Sequence, residues 1–309
     1  MLGAVLLVAA YAKAIDPVAF SQQIRAEGLA LFGAPFTWAV AAIALEVGLG
    51  IALVLNLRRR AVLAGATLLV ALFVFLTART YWRSAHGLLS ATDAASCGCF
   101  GNLLDRTPAE AFWQDLILLV PALALAWIGR PALRGGRWRA GVAGAAALAA
   151  GAFAWAAPGL ALDDLATRLA PGATISALCA GKGSARTCLD LVAPELAEGS
   201  HWVVLADGRA PDFDALAAEL NRYVASGAEP AVSVLADLTQ EERQGLFWRV
   251  APAFDLHETP AALLRPLYRT LPRSFLLEEG RVTRTYRGLP EAIRTPAASS
   301  NPKMDDPRP

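Results

Sequence analysis

Long apolar stretches separated by short polar breaks fill the first half of the chain, and the pattern changes character near residue 160. A helix needs about 20 mostly apolar residues to cross the hydrocarbon of a bilayer. Residues 36–57, 61–81, 112–128 and 141–160 meet or approach that length, and each predicts a membrane span. A fifth apolar run, residues 2–14, is shorter. Ala12-Lys13-Ala14 resembles a small-residue cleavage site, so the run reads either as a signal peptide or as a first span that starts upstream. The lack of a basic segment ahead of it favours the span.

Beyond residue 160, strand-like and helix-like segments alternate, which argues for an α/β layered domain. Residues 202–205 (Trp-Val-Val-Leu) read as a buried strand, and 231–235 as a second one. Between them, Phe213, Leu216, Leu220 and Tyr223 recur at helical spacing, and a further helix is expected over 239–250. Residues 274–277 and 282–286, joined by Glu278-Glu279-Gly280, predict a hairpin. The Pro-, Ser- and charge-rich end, residues 294–309, predicts a disordered tail.

Composition agrees with this division. The 309 residues are 55% hydrophobic and 18% charged, against about 45–50% and about 25% in soluble proteins. The net charge of +1 gives no case for a nucleic-acid partner. Basic residues in short loops instead set an orientation. Arg58, Arg59 and Arg60 join two spans, and Arg130, Arg134, Arg137 and Arg139 join two others, so both loops are expected on the cytoplasmic side. Loops 16–35 and 82–111 then face outward. Five spans beginning inside put everything after residue 160 outside. The expectation is a multi-pass protein of a bacterial cytoplasmic (inner) membrane, with the lipid bilayer as its first partner and a periplasmic C-terminal domain.

Candidate chemistry sits in four cysteines, arranged as two close pairs. Cys97 and Cys99 flank Gly98 in an outer loop. A disulfide between them would close a small strained ring, whose strain makes it a ready oxidant, and Gly98 eases the backbone cost. Such a ring is a poor staple because it closes almost no chain. A soft-metal site is the rival reading, with His86 as the one histidine in that loop, but no metal site is assigned. Cys179 and Cys188 flank a Gly-containing turn. They read either as a structural disulfide or as a relay exchanging with Cys97 and Cys99. Glu46 lies mid-span, and Lys13, at the end of the first apolar run, could pair with Asp16 or Glu46. That charge cluster either fixes helix packing or handles protons.

The residues Lys13-x-x-Asp16-Pro17-x-x-Phe20, Glu46-Val47-Gly48-Leu49-Gly50 and Cys97-Gly98-Cys99-Phe100-Gly101 resemble the MauE branch of the DoxX-like membrane proteins over about residues 1–130. The resemblance implies a four-helix membrane bundle that supports maturation of the disulfide-rich small subunit of methylamine dehydrogenase with a thioredoxin-like partner. It makes Cys97 and Cys99 the redox-active pair. Residues 131–160 add a basic loop and a fifth span, and 161–293 resemble a thioredoxin-like domain of the TlpA type. In that family Leu271-Pro272 falls at the cis-proline, and the Cys-Pro-x-Cys centre falls at Ala210-Pro211-Asp212-Phe213, where the proline stands but neither cysteine does. The expected fold class is therefore an α-helical membrane bundle followed by an α/β thioredoxin-like domain.

The expected function is membrane thiol–disulfide redox chemistry on extracytoplasmic protein thiols. A quinone suits the acceptor role as a lipid-soluble two-electron carrier. The alternative is a membrane-anchored assembly factor or metal-binding protein whose thioredoxin-like module is redox-dead.

Overall fold

The computed structural model describes residues 1–29, 33–57, 60–88, 106–129, 136–181 and 186–295. The chain divides into two compact units, residues 1–167 and 168–309.

The first unit is helical. α1 (Leu2–Ile15) and α2 (Pro17–Ala26) meet at a bend of 99°, followed by α3 (Pro35–Val54), α4 (Arg60–Ala85), α5 (Pro108–Ile128) and α6 (Gly136–Ala156). Four of these helices are long and apolar enough to cross a membrane, and five spans result if the bent α1–α2 pair counts as one. The expected outer loop 16–35 therefore contains a helix. Asp16 starts it: its Oδ1 accepts from the Ala19 N–H at 3.1 Å, and Pro17 occupies the first helical position. A side-chain acceptor satisfies an orphan amide there, and proline loses no bond. α5 begins in the same manner, with Thr107 and Glu110 forming a reciprocal capping box.

Lipid gives helices no hydrophobic reason to associate, so close backbone approach carries the packing. Gly3 of α1 and Gly50 of α3 are pressed together; a Cβ on Gly3 would meet the Gly50 carbonyl oxygen at 2.7 Å. α6 seats on α3 the same way, with Gly48 facing Ala147 and Gly151 facing Ala44. Leu6, Leu49, Leu69, Phe73 and Leu119 fill the centre among α1, α3, α4 and α5. The turn Asp163–Ala166 also belongs to this unit, so the division falls a few residues after the expected boundary at 161.

The second unit is built on a five-stranded sheet. Its strands are β3 (Ser200–Ala206), β4 (Ala231–Ala236), β5 (Asp255–Glu258), β6 (Arg273–Glu278) and β7 (Arg281–Arg287), in the order β5-β4-β3-β6-β7. A small antiparallel pair, β1 (Cys179–Ala180) and β2 (Thr187–Cys188), precedes it. β3 runs parallel to β4 and antiparallel to β6; β5 is parallel to β4, and β7 antiparallel to β6.

Both faces of the sheet are covered, which is why β3 is a near-continuous apolar run. Trp202, Val204 and Ala206 face α7 (Phe213–Ala225), which supplies Phe213, Ala217, Leu220 and Tyr223, and α8 (Gln240–Val250), which supplies Leu246. Val203 and Leu205 face Leu169, Ile175, Leu178, Leu189, Leu196 and Leu263 on the other side. The Leu271–Pro272 peptide is cis, at the position where the family resemblance expects it.

Candidate functional site

The β1–β2 pair places Cys179 directly opposite Cys188, and the two form a disulfide. They sit unequally. Cys179 is buried, between Leu178 and Ala180 of the core, whereas Cys188 is half-exposed. Arg186 lies just ahead of β2, two residues before Cys188. The Arg186 guanidinium reaches across, with Nη2 3.3 Å from Cys179 Sγ. Arg168 Nη1 donates to the Cys179 carbonyl oxygen at 2.9 Å. The Ser176 carbonyl oxygen lies 3.1 Å from the same sulfur. Cys97 and Cys99 lie outside the described residues.

A second cluster of polar residues stands at one end of the sheet. Leu205 pairs with Leu235 on β4 and with Arg273 on β6, so the register gathers residues 207–212, Asp237 and Pro272 at one edge of the fold. Ligands of α/β folds collect outside the carboxyl ends of the parallel strands. A nucleophile of a thioredoxin-like centre would stand here. Instead Ala210 closes a turn onto the Asp207 carbonyl at 3.0 Å, and Phe213 is buried in the core beneath α7.

The end of the sheet is occupied by ion pairs. Arg209 donates to both carboxylate oxygens of Glu242, at 2.6 and 2.7 Å, and lies 3.7 Å from Asp237. Arg249 pairs with Asp214 at 2.9 Å. The Arg209 hydrogen bonds, with help from the Thr239 amide, hold the Glu242 carboxyl down to about 2, and the same contact raises Arg209. Burial pushes the Tyr268 hydroxyl up, the charge of Arg265 works against it, and those of Asp207 and Asp237 add to the rise. A Cβ on Gly208 would sit 2.7 Å from Leu238 Cδ2, the end of a side chain. With no thiol at the start of α7, this end of the sheet can bind but supplies no thiolate. Sequence reasoning did not find the Arg209–Glu242 contact. The Thr239-x-x-Glu242 capping box was legible as a pattern, but the guanidinium comes from 33 residues away.

The third cluster lies in the helical unit. Lys13 Nζ and Glu46 Oε1 pair at 2.5 Å, both buried. The rings of Phe20 and Phe73 flank the ammonium, with centroids at 5.1 and 4.4 Å. Of the two partners expected for Lys13, the structure brings in Glu46, while Asp16 caps α2. Among the described residues, Glu46 Oε2 is buried with no hydrogen-bond partner. A second buried pair, Arg106 with Asp115 at 3.4 Å, was not foreseen. Its signal was a lone acid inside an apolar span. His86 stands exposed at the end of α4 with its Nδ1 2.8 Å from the Trp82 carbonyl oxygen.

Residues 1–128 match the family model described as methylamine utilisation protein MauE. With its apolar helices, the chain is a multi-pass membrane protein. Two solved structures are similar over 41% of this chain. One is a putative thiol:disulfide interchange protein DsbE from Chlorobium tepidum, 15% identical, with 92% of that chain covered and a TM-score of 0.30. The other is the Xanthomonas campestris bacterioferritin comigratory protein, described for its alkyl peroxide reduction activity, 19% identical, with 90% covered and a TM-score of 0.28. No curated protein matches the chain.

Proposed function

We propose that this protein is a membrane thiol–disulfide redox factor that supports disulfide formation or maturation of an extracytoplasmic client. Cys97 and Cys99 are its cycling pair. The α/β unit binds the client, and Cys179–Cys188 is a second thiol pair of that unit. The observation that carries this reading is the Cys179–Cys188 disulfide itself, since such bonds persist outside the reducing cytoplasm. The MauE match over residues 1–128 supports a thiol-redox role, and a client of the methylamine dehydrogenase type is what the family resemblance implies. A quinone is the proposed acceptor and the inner membrane the proposed location. Glu46, with one carboxylate oxygen unpartnered beside Lys13, is the proposed proton-handling group.

The test is the redox state of Cys97 and Cys99 in isolated membranes, read by gel-shift alkylation with and without respiratory quinone. Turnover with quinone that stalls in the Cys99→Ser variant supports the oxidoreductase. A pair fixed in one state throughout overturns it in favour of a second reading, a non-enzymatic assembly factor. That second reading has its own observation, the end of the sheet filled by Arg209, Glu242 and Asp237 where a nucleophile would stand.

A further inference from the structure

The two sulfurs of the Cys179–Cys188 disulfide differ in access and in electrostatics, and the two differences point the same way. Cys188 is half-exposed, while Cys179 is buried and has the Arg186 guanidinium 3.3 Å from its sulfur. A thiolate can attack only a sulfur it can reach, and exchange is faster when the departing sulfur is stabilised as an anion. The geometry points to a disulfide of fixed polarity: Cys188 is the sulfur attacked, Cys179 is the sulfur that leaves, and Arg186 stabilises the leaving thiolate. The inference rests on the proposed redox role, which it deepens by giving Cys179–Cys188 the relay part rather than the staple.

The step balances as an exchange with a dithiol of a partner protein. One partner thiolate attacks Cys188 Sγ. The new S–S bond forms as the Cys179–Cys188 bond breaks, and the electron pair leaves on Cys179 Sγ beside Arg186. The second partner thiolate then displaces Cys188. The partner ends as a disulfide, and Cys179 and Cys188 end reduced by two electrons.

Three groups near Cys179 oppose or assist this assignment. The Ser176 carbonyl oxygen, 3.1 Å away, would accept from a protonated thiol and so favours the neutral form. Against it stands the full charge of Arg186, with Arg168 held at the Cys179 carbonyl. A full charge at hydrogen-bond distance outweighs one carbonyl dipole. Arg186 is itself exposed, so solvent screens part of its effect.

The experiment uses the full chain in detergent, in a Cys97→Ser/Cys99→Ser background so that one disulfide is read. Dithiothreitol reduces it, and the rate is compared with Arg186→Gln and Arg186→Lys. Arg186→Gln is expected to slow reduction by roughly three- to tenfold, with Arg186→Lys retaining most of the rate. The sign separates this from a structural role, because a side chain that merely held the hairpin closed would, when removed, expose the disulfide and speed its reduction. Reaction with a small thiol, followed by alkylation and mass spectrometry, is expected to find the adduct on Cys188 and the alkyl group on Cys179. Equal or faster reduction in Arg186→Gln, or the adduct on Cys179, overturns the polarity. A disulfide that resists dithiothreitol in the folded chain overturns the relay as well and makes the bond a staple. The Cys97/Cys99 reading is untouched by any of these results, since the quinone experiment tests it separately.

Discussion

The two units solve the problem of placing charge in opposite ways. In the helical unit, Lys13 and Glu46 are both sealed from solvent and face each other between Phe20 and Phe73. In the α/β unit, Arg209 meets Glu242 with better, two-pronged geometry, yet both stand in water. The contact that looks stronger on paper is the weaker one energetically, because exposed pairs give back in screening and side-chain entropy most of what attraction supplies. A buried pair is different in kind. Each partner makes the other tolerable, and removing one strands a charge in a medium that cannot solvate it.

The sharpest way to break the comparison is Lys13→Met. Stranding Glu46 is expected to destabilise the bundle by about 3–5 kcal/mol, read by detergent-induced unfolding of the full chain. Lys13→Met with Glu46→Leu should recover most of the loss, because the cost lies in the orphaned charge. A double variant as unstable as the single would mean the pair contributes attraction of its own. Next in size is loss of the disulfide, which joins residues nine apart in sequence. Cys179→Ser with Cys188→Ser is expected to cost about 2–3 kcal/mol on the chain-entropy estimate, seen as a lower melting temperature of the α/β unit. Gly208→Ala forces a methyl against Leu238 and Leu246 and should cost about 1–3 kcal/mol by overpacking.

The smallest effect is expected at Arg209→Gln, where stability at neutral pH should scarcely move. Its signature is in the pH profile. Glu242 is held down to about 2, below its unfolded value, so its contribution is present above about pH 4.5 and is lost as pH falls toward 2. Arg209→Gln should flatten that acid limb in melts taken across the range. An unchanged limb would show that the Thr239 cap, and not Arg209, governs Glu242.

The elements that could be read in the sequence are those whose signal is local. Trp202–Leu205 announces a buried strand by its apolar run, and α7 announces itself by the spacing of Phe213, Leu220 and Tyr223. β5 does not: Asp-Leu-His-Glu carries one apolar side chain, and it becomes a strand because β4 offers it an open edge. α2 reads as loop in the sequence because its polar face hides a helix that Asp16 and Pro17 start. The site divides the same way. Lys13 with Glu46 was foreseen as one of two pairings, because a charge inside an apolar run demands a partner. Arg209 with Glu242 and Arg186 with Cys179 depend on how the chain returns on itself, and surface charges carry no such demand.

The seat of α6 on α3 has a consequence in time. Gly48 and Ala44 of α3 pack against Ala147 and Gly151 of α6, yet some 80 residues separate the end of α3 from the start of α6. A ribosome adding about 5–20 residues per second needs roughly 4–16 seconds to cover that distance. For that interval α3 is made without the helix that seats on its Gly48 and Ala44. The closing helix is also the one that leads into the α/β unit, so the bundle is completed only as its cargo begins to emerge.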